Sequence, residues 1–158
     1  MNTDFIFAFA FGIGIVAGLR SLTAPAVVSW AAYLGWLNLS GSPLSFMGSG
    51  VAVAVFSLLA VVELVGDVLP TTPSRTTPVP FIARIVMGSL SGASLCAAAG
   101  LSLPAGAVLG AVGAVVGTLG GYQARSRLVR GLGLKDIFVA IPEDLVAIGC
   151  AYLLVSMR

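Results

Sequence analysis

Between Gly50 and Pro70 the chain reads GVAVAVFSLLAVVELVGDVLP, and only Glu63 and Asp67 carry charge in it. A helix rises about 1.5 Å per residue, so about 20 apolar residues match the hydrocarbon thickness of a bilayer. Similar runs occupy Phe81–Ser102, Pro104–Ala124 and Ile137–Val155, and a longer one covers Phe5–Trp36. Only 9% of residues are charged and 58% are hydrophobic, whereas a soluble domain carries about 25% charged residues. So few charges cannot cover a water-facing surface. The expected architecture is all-α: a polytopic transmembrane helix bundle of five to six segments, forming one domain over residues 1–158.

The first apolar region is too long for one straight span. Arg20-Ser-Leu-Thr-Ala-Pro25 interrupts it, and Pro25 disfavours helical geometry at Ala24 and removes a backbone donor. Two arrangements are open: one long kinked helix with Arg20 deep in the membrane, or a hairpin with Arg20 at its tip. The hairpin is preferred because it removes an isolated buried Arg. Asp4 precedes the first run and no basic stretch does, so this region reads as a retained span rather than a cleaved signal.

Loop charge sets the expected topology. Leu37–Ser49 and the turn near Pro104 carry no charge, whereas Thr71–Pro80 carries Arg75 and the Arg125–Lys135 loop carries four basic residues. Basic loops stay on the cytoplasmic side. The expected topology is therefore multi-pass, with the Arg125–Lys135 loop cytoplasmic and the C-terminus external. Trp30, Tyr33, Trp36 and Tyr152 fit an external aromatic belt.

Several function classes drop out. No His is present, which removes His-dependent triads, His metal sites and His proton relays. Cys96 and Cys150 lack metal-site spacing and read as small hydrophobes. A net charge of +2 gives no basis for nucleic-acid binding. No cofactor is expected, and the chain does not read as an enzyme. The expected surroundings are membrane lipids.

The ionisable residues inside apolar runs are the candidate site. A carboxylate at the bilayer centre costs about 2.5–3.5 kcal/mol on insertion scales, so it lines a cavity or meets a partner. Glu63 and Asp67 share one helix face at i,i+4 spacing. Glu143 and Asp144 interrupt the last run, and Arg20, Arg84 and Arg125 lie within or at the ends of others. Loop placement puts these groups in one layer of the inner leaflet. They form either a site for an ion, a proton or an anionic group, or Arg–carboxylate pairs that only pin helix register. Arg75 joins the candidates through Pro70-Thr-Thr-Pro-Ser-Arg-Thr-Thr-Pro-Val-Pro80, a stiff linker whose hydroxyls and helix start suit a phosphate or headgroup. A metal bound by acids stays an open alternative.

Gly106, Gly110, Gly113, Gly117 and Gly121 recur every three or four residues and form a stripe down one helix. Without Cβ atoms a second backbone can approach closely. Gly14/Gly18 and Gly88/Gly92 supply opposing faces within the chain, and a homo-oligomer seam is the alternative. A short echo links Gly14-xxx-Gly18-Leu-Arg20-Ser21 with Gly117-xxx-Gly121-Tyr-Gln-Ala-Arg125-Ser126, and suggests an inverted repeat as in several transporter folds.

AGLRSLTAPAV, the Glu63-xxx-Asp67-xx-Pro70 pattern followed by TPSRT, Gly117-xxx-Gly121-Tyr-Gln-Ala-Arg125 and the Glu143-Asp144 pair resemble the small bacterial membrane proteins grouped as domain of unknown function family 4126. The resemblance covers nearly the whole chain. It implies a bacterial inner-membrane protein and brings no activity with it. From the residues, a small transporter or channel for an ion, proton or small anionic solute is the leading expectation. A non-transporting scaffold or partner subunit is the alternative, and a lipid-modifying enzyme the minor one.

Overall fold

The computed structural model describes residues 3–66, 78–132, 145–153 and 155. In order these form α1 (Thr3–Leu19), α2 (Thr23–Tyr33), a 3-10 turn (Ser45–Gly48), α3 (Gly50–Gly66), α4 (Pro78–Ala98) and α5 (Leu103–Leu132). Residues 145–153 are also helical and are called α6. No strand occurs among the described residues. Pro78–Ala98 and Leu103–Ala124 are long and apolar enough to cross a membrane. Helices α1 and α3 have 17 residues each and α2 has 11.

Local chemistry explains most helix boundaries. Ser49 caps α3, its hydroxyl accepting the Ala52 amide at 3.1 Å. The C-terminus of α2 closes on Gly35, where φ is +79°; the Trp36 amide reaches back to the Ala31 carbonyl and the Gly35 amide to that of Ala32. Helix α4 ends the same way on Gly100, with Leu101 bonded to Cys96 and Gly100 to Ala97. Both are Schellman closures, which need a left-handed residue that glycine adopts without a Cβ clash. Pro78 opens α4 with Pro80 in the same first turn, where a missing N–H costs no helical bond.

Two boundaries differ from expectation. Helix α5 runs to Leu132, so the segment expected to begin a loop at Arg125 is helical over its first residues. No Gly or Pro interrupts residues 122–130, and nothing local stops the helix where its apolar stretch ends. The break in the first region falls inside the expected Arg20–Pro25 segment but is shorter than it. Helix α2 begins at Thr23 and takes Pro25 into its first turn, leaving Arg20–Leu22 as the interruption.

Glycine contacts set the arrangement of the central helices. Gly14 lies against the Gly110 backbone, and Gly18 against Ala114, Gly117 and Thr118, so α1 and α5 run parallel. Gly88 meets Gly110 and Ala114 while Gly92 meets Gly106, so α4 runs antiparallel to both. Gly106 and Gly110 thus receive α4, and Gly113 and Gly117 receive α1, at Phe11, Gly14 and Ile15. The stripe is covered by the chain's own helices at these four positions. The sequence echo between the Gly14 and Gly117 segments falls on parallel, touching helices, so it does not relate them by inversion.

The peripheral helices follow from this core. Tyr33 lies beside Gly50, Trp30 is bonded to Ser57 and Leu22 to Glu63, so α2 and α3 are antiparallel. Leu37, Leu39 and Met47 are buried in one cluster with Ile13, Val28 and Leu95, against which Phe9 and Ala98 pack. Those α4 residues lie beside the first half of α1, far from its Arg20 end. The chain therefore turns back at Arg20–Leu22, and α2 descends beside α4. Helix α6 adds Ala147 and Ala151, and Val155 continues the same i,i+4 row into the cluster.

The α4–α5–α1 crossing sets a stability test. A Cβ at Gly110 would overlap the Gly88 carbonyl, whereas one at Gly120 would meet nothing within 4 Å. Gly110→Ala should destabilise the protein by about 1–3 kcal/mol or more through overpacking, and Gly120→Ala should leave the thermal midpoint unchanged or raise it through better helix propensity. Thermal unfolding in detergent measures both.

Candidate functional site

The interruption between α1 and α2 exposes two helix ends to each other. Each helix terminus leaves backbone groups without intrahelical partners. At the end of α1, the Thr118 hydroxyl of α5 lies 3.1 Å from the Gly18 carbonyl and 2.8 Å from the Ala114 carbonyl. One hydroxyl proton is shared between the two acceptors. At the start of α2, Leu22 stands in the N-cap position and supplies no side-chain acceptor. Pro25 lowers the demand, since it has no N–H.

Glu63 supplies the missing acceptor from another helix. Its Oε1 accepts the Ser21 amide at 2.9 Å and the Ser21 hydroxyl at 2.6 Å, and its Oε2 accepts the Leu22 amide at 2.9 Å. Three donors therefore converge on one carboxylate, at the positive end of the α2 dipole. The site has the chemistry of an anion cradle, and the chain's own side chain occupies it.

Two buried arginines lie near the level of the cradle. Arg20, in the interruption itself, is 1% exposed, and Arg84 on α4 is 4% exposed. Arg84 precedes Gly88 by one turn, and Gly88 meets Gly110 and Ala114. By that register Arg84 lies level with Ala114–Thr118, and so with Gly18 and the end of α1. Arg20, Glu63 and Arg84 thus share one layer. Thr118 is six residues from Ala124, the end of the apolar stretch of α5, which puts the layer about 9 Å inside it. Asp67, Arg75, Glu143 and Asp144 lie outside the described residues, as does the side chain of Arg125. No group of three metal-ligating acids or thiols occurs among the described residues.

Beside the cradle, a groove of about 240 Å³ separates α2 from α3. Arg20 and Leu64 lie at one end, Trp30 and Ser57 toward the other, with Ala26, Val27, Ala60 and Val61 as walls and Ile148 of α6 closing one side. The Trp30 indole donates to the Ser57 hydroxyl at 2.9 Å, bridging the helices at that end. At the opposite end of the bundle, Trp30 and Tyr33 form one edge-to-face pair and Trp36 and Tyr152 another, with centroids 6.2 and 5.9 Å apart.

A family model described as Domain of unknown function (DUF4126) matches residues 7–157. The chain belongs to this family. No curated protein and no solved structure matches it.

Sequence reasoning about this DUF4126 chain named Arg20, Glu63 and Arg84 but not Ser21, Leu22 or Thr118. The partners of Glu63 are a serine and two backbone amides some forty positions away, so pairing acids with arginines could not find them. One signal was present: α2 has no Ser, Thr, Asp or Asn at its N-cap, so its first donors required an acceptor from elsewhere.

Hydrogen bonds to a charged acceptor contribute about 1.5–3 kcal/mol each. Glu63→Ala should therefore lower stability by at least about 2 kcal/mol. Ser21→Ala should cost about 1 kcal/mol alone and close to nothing in the Glu63→Ala background. A double-mutant cycle on denaturant midpoints measures this coupling.

Proposed function

We propose that this DUF4126 member is a multi-pass protein of the bacterial inner membrane that moves a small anionic solute. The supporting observation is the convergence of Ser21 N–H, Ser21 O–H and Leu22 N–H on a single carboxylate, in a layer with two nearly fully buried arginines. Charged side chains within membrane helices commonly mark solute pathways. Glu63 is the internal occupant of the cradle. A solute anion takes the same donors when the Glu63 side chain swings out.

The rest of the surface fits this setting. Along α3, Val51, Val55, Leu58, Val62 and Val65 are exposed, as are Val79, Ile82 and Val86 along α4. Such an apolar exterior suits contact with lipid rather than water. The bundle presents six segments to the membrane: α1 to α6, with α2 completed by the loop and 3-10 turn that follow it. The end holding Arg20 and Arg84 lies on the cytoplasmic side with the basic end of α5, and the Leu34–Ser49 loop and the C-terminus lie outside. The aromatic pairs mark the outer interface.

A second reading rests on the same hydrogen bonds. Glu63 ties α3 to the α1–α2 junction and Thr118 ties α5 to α1, so the charges serve to fix helix register in a scaffold or partner subunit. Flux separates the two. Purified protein in liposomes should move at least one of chloride, methanesulfonate and octanesulfonate at ten or more times the protein-free rate. Glu63→Gln should change that rate at least threefold. No flux above empty vesicles for all three anions removes the transporter reading and leaves the scaffold.

A further inference from the structure

Helix α3 is held by different means along its two halves. We infer that it is a hinged latch, whose first half is fixed by packing and whose Glu63 end swings away from α2 to uncover the Ser21 and Leu22 donors. This rests on reading those donors as an anion site, and names the motion that opens it.

Packing on α3 is one-ended. Of its 17 residues only Ala52 and Val53 are buried. Phe56 adds a partly buried contact with the main core cluster. All three lie in the first two turns, beside the Ser49 cap. From Ser57 to Gly66 no residue is buried. Leu58, Val61, Val62 and Val65 there are more than half exposed. Among helices α1 to α5, α3 packs against α2 and no other, with the 3-10 turn as its second neighbour. Helices α1, α4 and α5 all pack on one another.

The contact with α2 is itself incomplete. The groove of about 240 Å³ separates the two helices between Leu64 and the Trp30–Ser57 pair, with Ile148 of α6 at its side. Side chains do not interlock across it. Among the described residues, α2 and α3 are joined there by polar bonds instead. One neutral bond links Trp30 to Ser57, near the packed half. Three bonds to a carboxylate close the far end, at Ser21 and Leu22, and bonds to an ionised acceptor are the stronger kind. Glu63 therefore sets the angle of the far half of α3. It lies about 16 Å along the axis from Ala52. A tilt of about 20°, comparable to the scatter of helix-packing angles, carries that end about 5 Å. Hydrogen bonds of 2.6–2.9 Å do not survive such a shift.

A latch of this kind couples binding to movement. With α3 closed, the Ser21 and Leu22 donors are occupied by Glu63. An anion takes them only when the carboxylate is displaced. A ligand that binds one of two states shifts the population toward it.

Distances between pairs of nitroxide labels, measured in phosphatidylcholine nanodiscs, test the latch. The two free cysteines, Cys96 and Cys150, are first replaced by alanine. Val116, exposed on α5, carries the fixed label. The second label sits at Val62, beside Glu63, or at Val51, in the packed half, both exposed. With Glu63 intact each pair should give one distance. In Glu63→Ala the Val62 pair should gain a second distance shifted by about 5 Å, in at least half the population. The Val51 pair should not change. Glu63→Gln keeps the side chain's size and one acceptor, and should populate the same second distance less. Methanesulfonate added to the protein with Glu63 intact should populate it too.

An unchanged Val62 distance in both variants overturns the inference, because Glu63 then moves as a side chain on a fixed helix. Equal shifts at Val62 and Val51 also overturn it, since α3 then moves as a whole. A Val62 shift in the variants with no response to methanesulfonate keeps the latch and counts against the anion site. Methanesulfonate flux with a single Val62 distance throughout keeps transport and removes the latch.

Discussion

A carboxylate on one helix closes the start of another, and most of the fold's functional geometry follows from that contact. Helix α2 is only 11 residues long and lacks a side chain of its own to cap it. Glu63 supplies the acceptor from α3 and takes up the Ser21 and Leu22 amides with the Ser21 hydroxyl. The interruption at Arg20–Leu22 can persist among apolar helices only because its freed donors are met. The same bonds hold α3 beside α2, and so define the groove between them.

The central crossing makes a second demand on the chain. Helices α1, α4 and α5 approach so closely that Gly14, Gly88, Gly92, Gly106, Gly110, Gly113 and Gly117 have no room for a Cβ. Close approach brings the end of α1 within reach of Thr118, whose hydroxyl serves the Gly18 carbonyl. It also sets Arg84 level with the interruption. A rigid glycine-packed core thus carries one side of the charged layer, and the shorter α2–α3 pair carries the other. The two sides rest on different physics, close backbone packing in one and charge-assisted hydrogen bonds in the other.

Much of this was legible in the residues and some was not. The starts of α3 and α5 were legible close to Gly50 and Pro104, where turn chemistry bounds the apolar runs, whereas α4 closes at Gly100, inside the run expected to reach Ser102. The break at Arg20 was legible too, but its length was not: proline is tolerated in a first helical turn, so the interruption ends at Leu22 and α2 takes in Pro25. Helix α5 outlasts its apolar stretch because hydropathy marks where a membrane would end, and helix propensity continues to Leu132. The glycine stripe announced a close contact but not its partners. The role of Glu63 was the least legible: its position inside an apolar run signalled importance, and its distant backbone partners left no pattern to read.

The account stands on Glu63 holding the α1–α2 junction, and amide hydrogen exchange tests that contact most directly. In the native protein the Ser21 and Leu22 amides should exchange slowly. In Glu63→Ala they should exchange at least tenfold faster, while the Gly35 and Trp36 amides, closed by carbonyls of α2 itself, keep their native rates. Fast exchange at Ser21 and Leu22 in the native protein, or protection there that survives Glu63→Ala, would contradict it.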